Sequence, residues 1–190
     1  MEATGPQRIE IMKVSLTVIV LLVPLTLCGS AISQFKHLQL PEQTHFSAEN
    51  ESVQKPVPLP EDVLVILKQD EMVRNALEDE NVPADKLPST WFSASVVHLS
   101  SPEKEDLIVV GEPPLSGANI VTFWIFSASP HGYELVLTAA AHDLIVRKKR
   151  WNGHLEIEML AATAVEVSSV LFRWDGKRYA EYREKSEDIK

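Results

Sequence analysis

From about residue 90 onward the chain alternates short apolar, β-prone runs with turn-forming residues, and this pattern sets the predicted architecture. The runs fall at 92–99, 106–110, 120–126, 133–137, 144–146, 155–159, 170–174 and 177–179. Asn152-Gly153 and Asp175-Gly176 separate adjacent runs. Such pairs are strong hairpin signals, because the central residues of a tight hairpin must accept positive φ. Ser129-Pro130-His131-Gly132 marks a third turn. No helix-length pattern lies between the later runs, so antiparallel connections are expected rather than parallel crossovers. Residues 120–126 are apolar on both alternating sets, the signature of a strand buried on both faces.

Upstream the period changes. Val63, Ile66, Leu67, Val73, Ala76 and Leu77 recur at helical spacing, interrupted by Asp70. Pro60 suits a first turn, and Glu61 and Asp62 complement the positive end of the helix dipole. The spacing predicts one helix over 60–79, although 63–67 also reads as a strand. The expected fold class is α+β. One N-terminal helix is followed by an antiparallel β-meander of about seven or eight strands, forming a curled sheet or open barrel. Either the helix covers one face of the central strand, or the sheet curls onto itself. Residues 34–58 are polar, carry Pro41, Pro56 and Pro58, and read as a flexible linker. The single domain is then 59–190.

The first residues change the picture of where the protein works. An uncharged apolar run at 14–27 follows Arg8 and Lys13, and small residues surround Ala31 and Ser33. This is the layout of a secretory signal peptide over 1–33, with cleavage expected after Ala31 or Ser33 and Met12 as an alternative start. The run falls short of the roughly 20 residues a spanning helix needs. An uncleaved run is the alternative, and only then is a membrane a partner. Cys28 is the single cysteine, so cleavage removes all thiol chemistry from the exported chain. Asn50-Glu51-Ser52 matches a glycosylation sequon, meaningful only in a eukaryotic secretory route.

The net charge is −9. Glu2 and Glu10 balance Arg8 and Lys13, so removal of 1–33 leaves it unchanged. An acidic body argues against nucleic acid as a partner.

Several segments together resemble a loose group of small exported bacterial proteins with no assigned function. They are Trp91-Phe92-Ser93-Ala94-Ser95, Asp106-Leu107-Ile108-Val109, Gly117-Ala118-Asn119, Phe123-Trp124-Ile125-Phe126, Gly132-Tyr133-Glu134-Leu135-Val136-Leu137 and Arg173-Trp174-Asp175-Gly176-Lys177-Arg178-Tyr179. The resemblance spans residues 59–184 and implies export. It carries no catalytic or ligand-binding residue with it.

Candidate chemistry is sparse. His154, Glu156 and Glu158 alternate with Leu155, Ile157 and Met159, which on a strand places the three polar groups on one face. That set offers imidazole and carboxylate to a divalent metal. The plainer reading is the wet face of a half-buried strand. Arg147, Lys148, Lys149, Arg150 and Trp151 form the one basic patch and a candidate contact for an anion or partner. The plainer reading is a charged strand end paired across the ladder with Glu156 and Glu158. His142-Asp143 with Ser116, Ser168 or Ser169 offers pieces of a triad, but no Gly-x-Ser-x-Gly elbow is present. No catalytic residue and no cofactor is assigned. The expected function is an exported, periplasmic or secreted, non-enzymatic binding module for a protein or envelope component. The alternatives are a hydrolase with an acid/His or metal-assisted site, and a membrane-tethered structural envelope protein.

Overall fold

The computed structural model describes residues 42–49 and 53–188. The export segment at 14–27, its cleavage site, Cys28 and the sequon lie outside the described residues. Nine strands and two α-helices follow in chain order: β1 (His45–Ser47), α1 (Glu61–Leu67), α2 (Glu71–Asp79), β2 (Phe92–Val97), β3 (Asp106–Gly111), β4 (Val121–Ser129), β5 (Gly132–Ala141), β6 (Asp143–Trp151), β7 (His154–Ala162), β8 (Glu166–Trp174) and β9 (Tyr179–Asp188). They form two antiparallel sheets, a four-stranded one ordered β2-β3-β4-β5 and a five-stranded one ordered β1-β6-β7-β8-β9.

The strand that is apolar on both sides explains the layering. Val121, Phe123 and Ile125 of β4 pack into a cluster with Leu144, Val146, Ile157 and Met159 of the five-stranded sheet. Trp124 and Phe126 point the other way, into a cluster with Val63 and Leu67 of α1 and Val73, Ala76 and Leu77 of α2. The helices thus cover one face of the four-stranded sheet and the second sheet covers the other. Each fully buried Leu, Ile, Val or Phe contributes roughly 1.5–3 kcal/mol, so β4 anchors both layers.

The meander from β2 to β9 matches the expected order of hairpins. It divides into two packed sheets rather than one curled sheet, and the described strands close no barrel. The division falls at His142, the single residue between β5 and β6. Two buried faces need two covers, and a sheet turned sharply at one residue provides the second. At Asn152-Gly153 both residues take positive φ, 48° and 82°, as the hairpin signal requires. The expected single helix over 60–79 is broken into α1 and α2. Asp70 is the cause: its side chain accepts from the Met72 N–H at 2.9 Å and caps α2, so the stripe restarts there.

The expected linker over 34–58 is corrected for its described part. Residues 45–47 add a strand to the edge of the five-stranded sheet, with Phe46 opposite Leu144 and fully buried. Val53 joins the core between the sheets, and the Val57 N–H bonds the Ala94 carbonyl at 2.8 Å. One buried aromatic and two valines outweigh the polar composition around them. At the opposite edge of this sheet, β9 exposes residues 181–188, among them Glu181, Arg183, Glu184 and Lys185.

Candidate interaction surface

The five-stranded sheet turns Phe46, Leu144, Val146, Ile157 and Met159 toward the core. Alternation along the strands sends Asp143, Glu156, Glu158, Leu171 and Arg173 to the opposite face. The helices lie on the other sheet, against β2, β3 and β4. This outward face collects most of the residues singled out from the sequence.

Its centre is a guanidinium clamped between two rings. The Arg173 guanidinium carbon lies 4.3 Å from the Trp151 ring centroid and 3.4 Å from that of Tyr182. The two rings are 6.4 Å apart and inclined by 28°. Arg173 Nε donates to Glu156 Oε1 at 2.6 Å, and both side chains are largely buried, at 10% and 4% exposure. Burial works against the Arg173 charge, but hydrogen bonds to Glu156 and Tyr182 outweigh it and raise its pKa above the ordinary value. Trp151 and Tyr182 keep 44% and 56% of their surface exposed. A bulge sets this geometry. Leu171 pairs with Arg183 and Phe172 with Glu181, so Tyr182 is the extra residue of β9 and stands out of the ladder beside Arg173.

The basic run disperses. Val146 pairs with Ile157 and Arg150 with Leu155, which leaves Arg147, Lys148 and Lys149 opposite Glu156 alone. Arg147 pairs with Glu158. Arg150 donates to the carbonyls of Leu99, Ser100 and Gly153 at 3.1, 2.8 and 2.8 Å, tying this hairpin to the segment just after β2. Lys148 and Lys149 stay exposed within the register shift between Val146 and Arg150, just before Trp151. The ladder pairing expected for Glu158 is present, whereas Glu156 turns to Arg173 on the other neighbouring strand.

The candidate metal ligands His154, Glu156 and Glu158 are not brought together. His154 stacks on Trp174 with centroids 4.1 Å apart, while each glutamate is engaged by an arginine. Among the described residues no group of three His, Cys, Asp or Glu side chains is arranged to hold a metal ion. His142 has carboxylates at both ring nitrogens, Asp143 at 3.1 Å and Glu49 at 3.5 Å, which leaves none for Ser116, Ser168 or Ser169. A cleft of about 800 Å³ opens elsewhere, lined by Glu42, Gln54, Ser95, His98 and Arg150 among others. There Glu42 accepts from both the backbone and the ring of His98, so these groups face one another.

The chain matches no protein-family model, no curated protein and no solved structure. Function is therefore argued from the surface itself. Sequence reasoning missed Tyr182 altogether and saw Arg173 only as part of a hairpin flank. The bulge that joins them leaves no local signal. The one available hint was Tyr182 within the otherwise polar and charged stretch 181–188.

Proposed function

We propose that the protein is an exported, non-enzymatic binding module that docks an acidic protein surface over Trp151, Arg173 and Tyr182. The observation that carries this reading is the exposed aromatic pair closed on a charge-paired arginine. Trp, Tyr and Arg are the residues that dominate binding energy at protein interfaces. Here Arg173 is already fixed and neutralised by Glu156, so a partner meets a preorganised surface and orders little on docking. Charge supports the choice of an acidic partner. On a chain of net charge −9, the exposed Lys148, Lys149, Lys177 and Arg178 belong to the β6–β7 and β8–β9 hairpins that carry Trp151, Arg173 and Tyr182, which steers an acidic surface toward them. No helix among the described residues is long and apolar enough to cross a membrane. Export rests on the apolar run at 14–27.

A photo-crosslinking amino acid at position 182 tests the docking, with the same group at Val65 on the helical side as control. The expected result is one acidic protein captured in the envelope fraction from position 182 only. That capture should fall at least about tenfold in a Lys148→Glu/Lys149→Glu variant, as loss and reversal of two exposed charges implies. Equal capture from both positions, or capture that ignores the charge reversal, overturns the reading. The intact mass of the exported species tests the rest, because a chain retaining residues 14–27 contradicts cleavage.

A further inference from the structure

At the β1 edge of the five-stranded sheet, four titratable side chains form a continuous chain. His45 Nε2 meets Asp143 Oδ1 at 3.1 Å, His142 Nδ1 meets Asp143 Oδ2 at 3.1 Å, and His142 Nε2 lies 3.5 Å from Glu49 Oε1. The pieces come from three places: His45 on β1, Glu49 just after it, and His142 and Asp143 at the turn between the sheets. We propose that this chain is a proton-operated clasp that fixes β1 to β6 when His142 is protonated and slackens when it is neutral.

The argument rests on counting protons. A neutral imidazole carries one N–H and one lone pair, whereas an imidazolium carries two N–H donors. Both ring nitrogens of His142 face carboxylate oxygens. Only the imidazolium satisfies both; the neutral ring sets a lone pair against an anion. His45 does not share this constraint, since its single contact through Nε2 is met by one neutral tautomer. His142 is therefore the sensor and Asp143 the shared acceptor.

Among the described residues, the groups around Asp143 are these. On β1, Ser47 also bonds Asp143. Across β6, the β7 residues opposite Asp143 and Ile145 are Leu160 and Glu158, and Glu158 is held by Arg147. The next strands place Ser169 and then Lys185 in the row of Asp143. Burial pushes the Asp143 carboxyl up, but hydrogen bonds from Ser47, His142 and His45 and the charge of His142 hold it below the ordinary value. It is therefore ionised throughout the range in which histidine side chains change charge.

The backbone links this chemistry to structure. The Ala48 N–H bonds the His142 carbonyl at 2.9 Å and the Val146 N–H bonds the Thr44 carbonyl at 2.8 Å. Between them Phe46 fills the core. Histidine changes charge between about pH 5 and 8, so β1 is held most firmly on the acid side of that range.

Amide hydrogen exchange by NMR on the purified protein tests the clasp. Protection factors of the Ala48 and Val146 amides, corrected for intrinsic exchange, are compared at about pH 5.5 and 7.5, with Trp124 in β4 as reference. The expected result is a fall of roughly twofold to fivefold at both reporters, the scale of one partly exposed ion pair. Trp124 should be unchanged. In His142→Gln, and in the milder Glu49→Gln at an exposed position, the pH dependence should shrink or vanish. Flat protection in the unaltered protein overturns the proposal. So does an equal fall at Trp124, or a pH dependence that survives in both variants.

Discussion

Asp106 is the first residue of β3 and is fully buried. Its two oxygens accept from the Leu99 N–H at 3.1 Å, the Ser127 hydroxyl at 3.0 Å and the Ala128 N–H at 2.9 Å. One carboxylate thus binds the segment just after β2 to the far part of β4. Asp106→Ala removes the acceptor and leaves buried donors unpaired, and each such group costs about 1–3 kcal/mol. Equilibrium urea unfolding should show a loss of about 2–4 kcal/mol. A loss below about 1 kcal/mol would mean that water replaces the carboxylate without penalty. From the sequence Asp106 read only as the start of a strand. Its partners are seven to twenty-two positions away, and no local pattern announces them. The same distance hides the clamp around Arg173. Trp151 was legible as an aromatic beside a basic run, but its pairing with Arg173 and Tyr182 depends on a bulge three strands away.

At the scale of elements, α1 is latched to the β4–β5 hairpin through Asp62. Its Oδ2 accepts from the Tyr133 N–H at 3.0 Å, beside Gly132 at φ 111°. A Cβ added at Gly132 would sit 2.5 Å from that oxygen. Gly132→Ala should destabilise by about 1–2 kcal/mol from backbone strain alone, with the displaced latch in addition. Removing the obstacle with Asp62→Ala in the same chain should make the pair less than additive, which a double-mutant cycle in urea measures. Strict additivity would show that latch and turn are independent. The hairpins themselves were legible because their turn residues act locally, as at Asn152 and Gly153. The strand β1 was not, since one Phe among polar residues gains its place only by meeting Leu144 and the rest of the core. The division at His142 was hidden for a related reason: strands on both sides keep the same period of two, and nothing in that period says which sheet a strand joins.

For the whole molecule, pH acts at the acid limit. Asp143 has a lowered pKa in the fold, so its contribution is fully present above the ordinary carboxylate pKa of about 3.9 and is lost as pH falls below it. Acid titration followed by circular dichroism should therefore show Asp143→Asn with a shallower loss of stability below about pH 4 than the unaltered protein. An unchanged acid limb would place the effect elsewhere. Charge also shapes how copies of the chain meet. The β9 edge offers ten residues of backbone along one side of a sheet, and an unpaired edge is a template for another chain. Glu181, Arg183, Glu184 and Lys185 stand along it, exposed and of both signs. A second copy brought alongside would have to strip water from these groups before its amides could pair. The exposed charges of β9 thereby act as a terminator for this edge of the sheet.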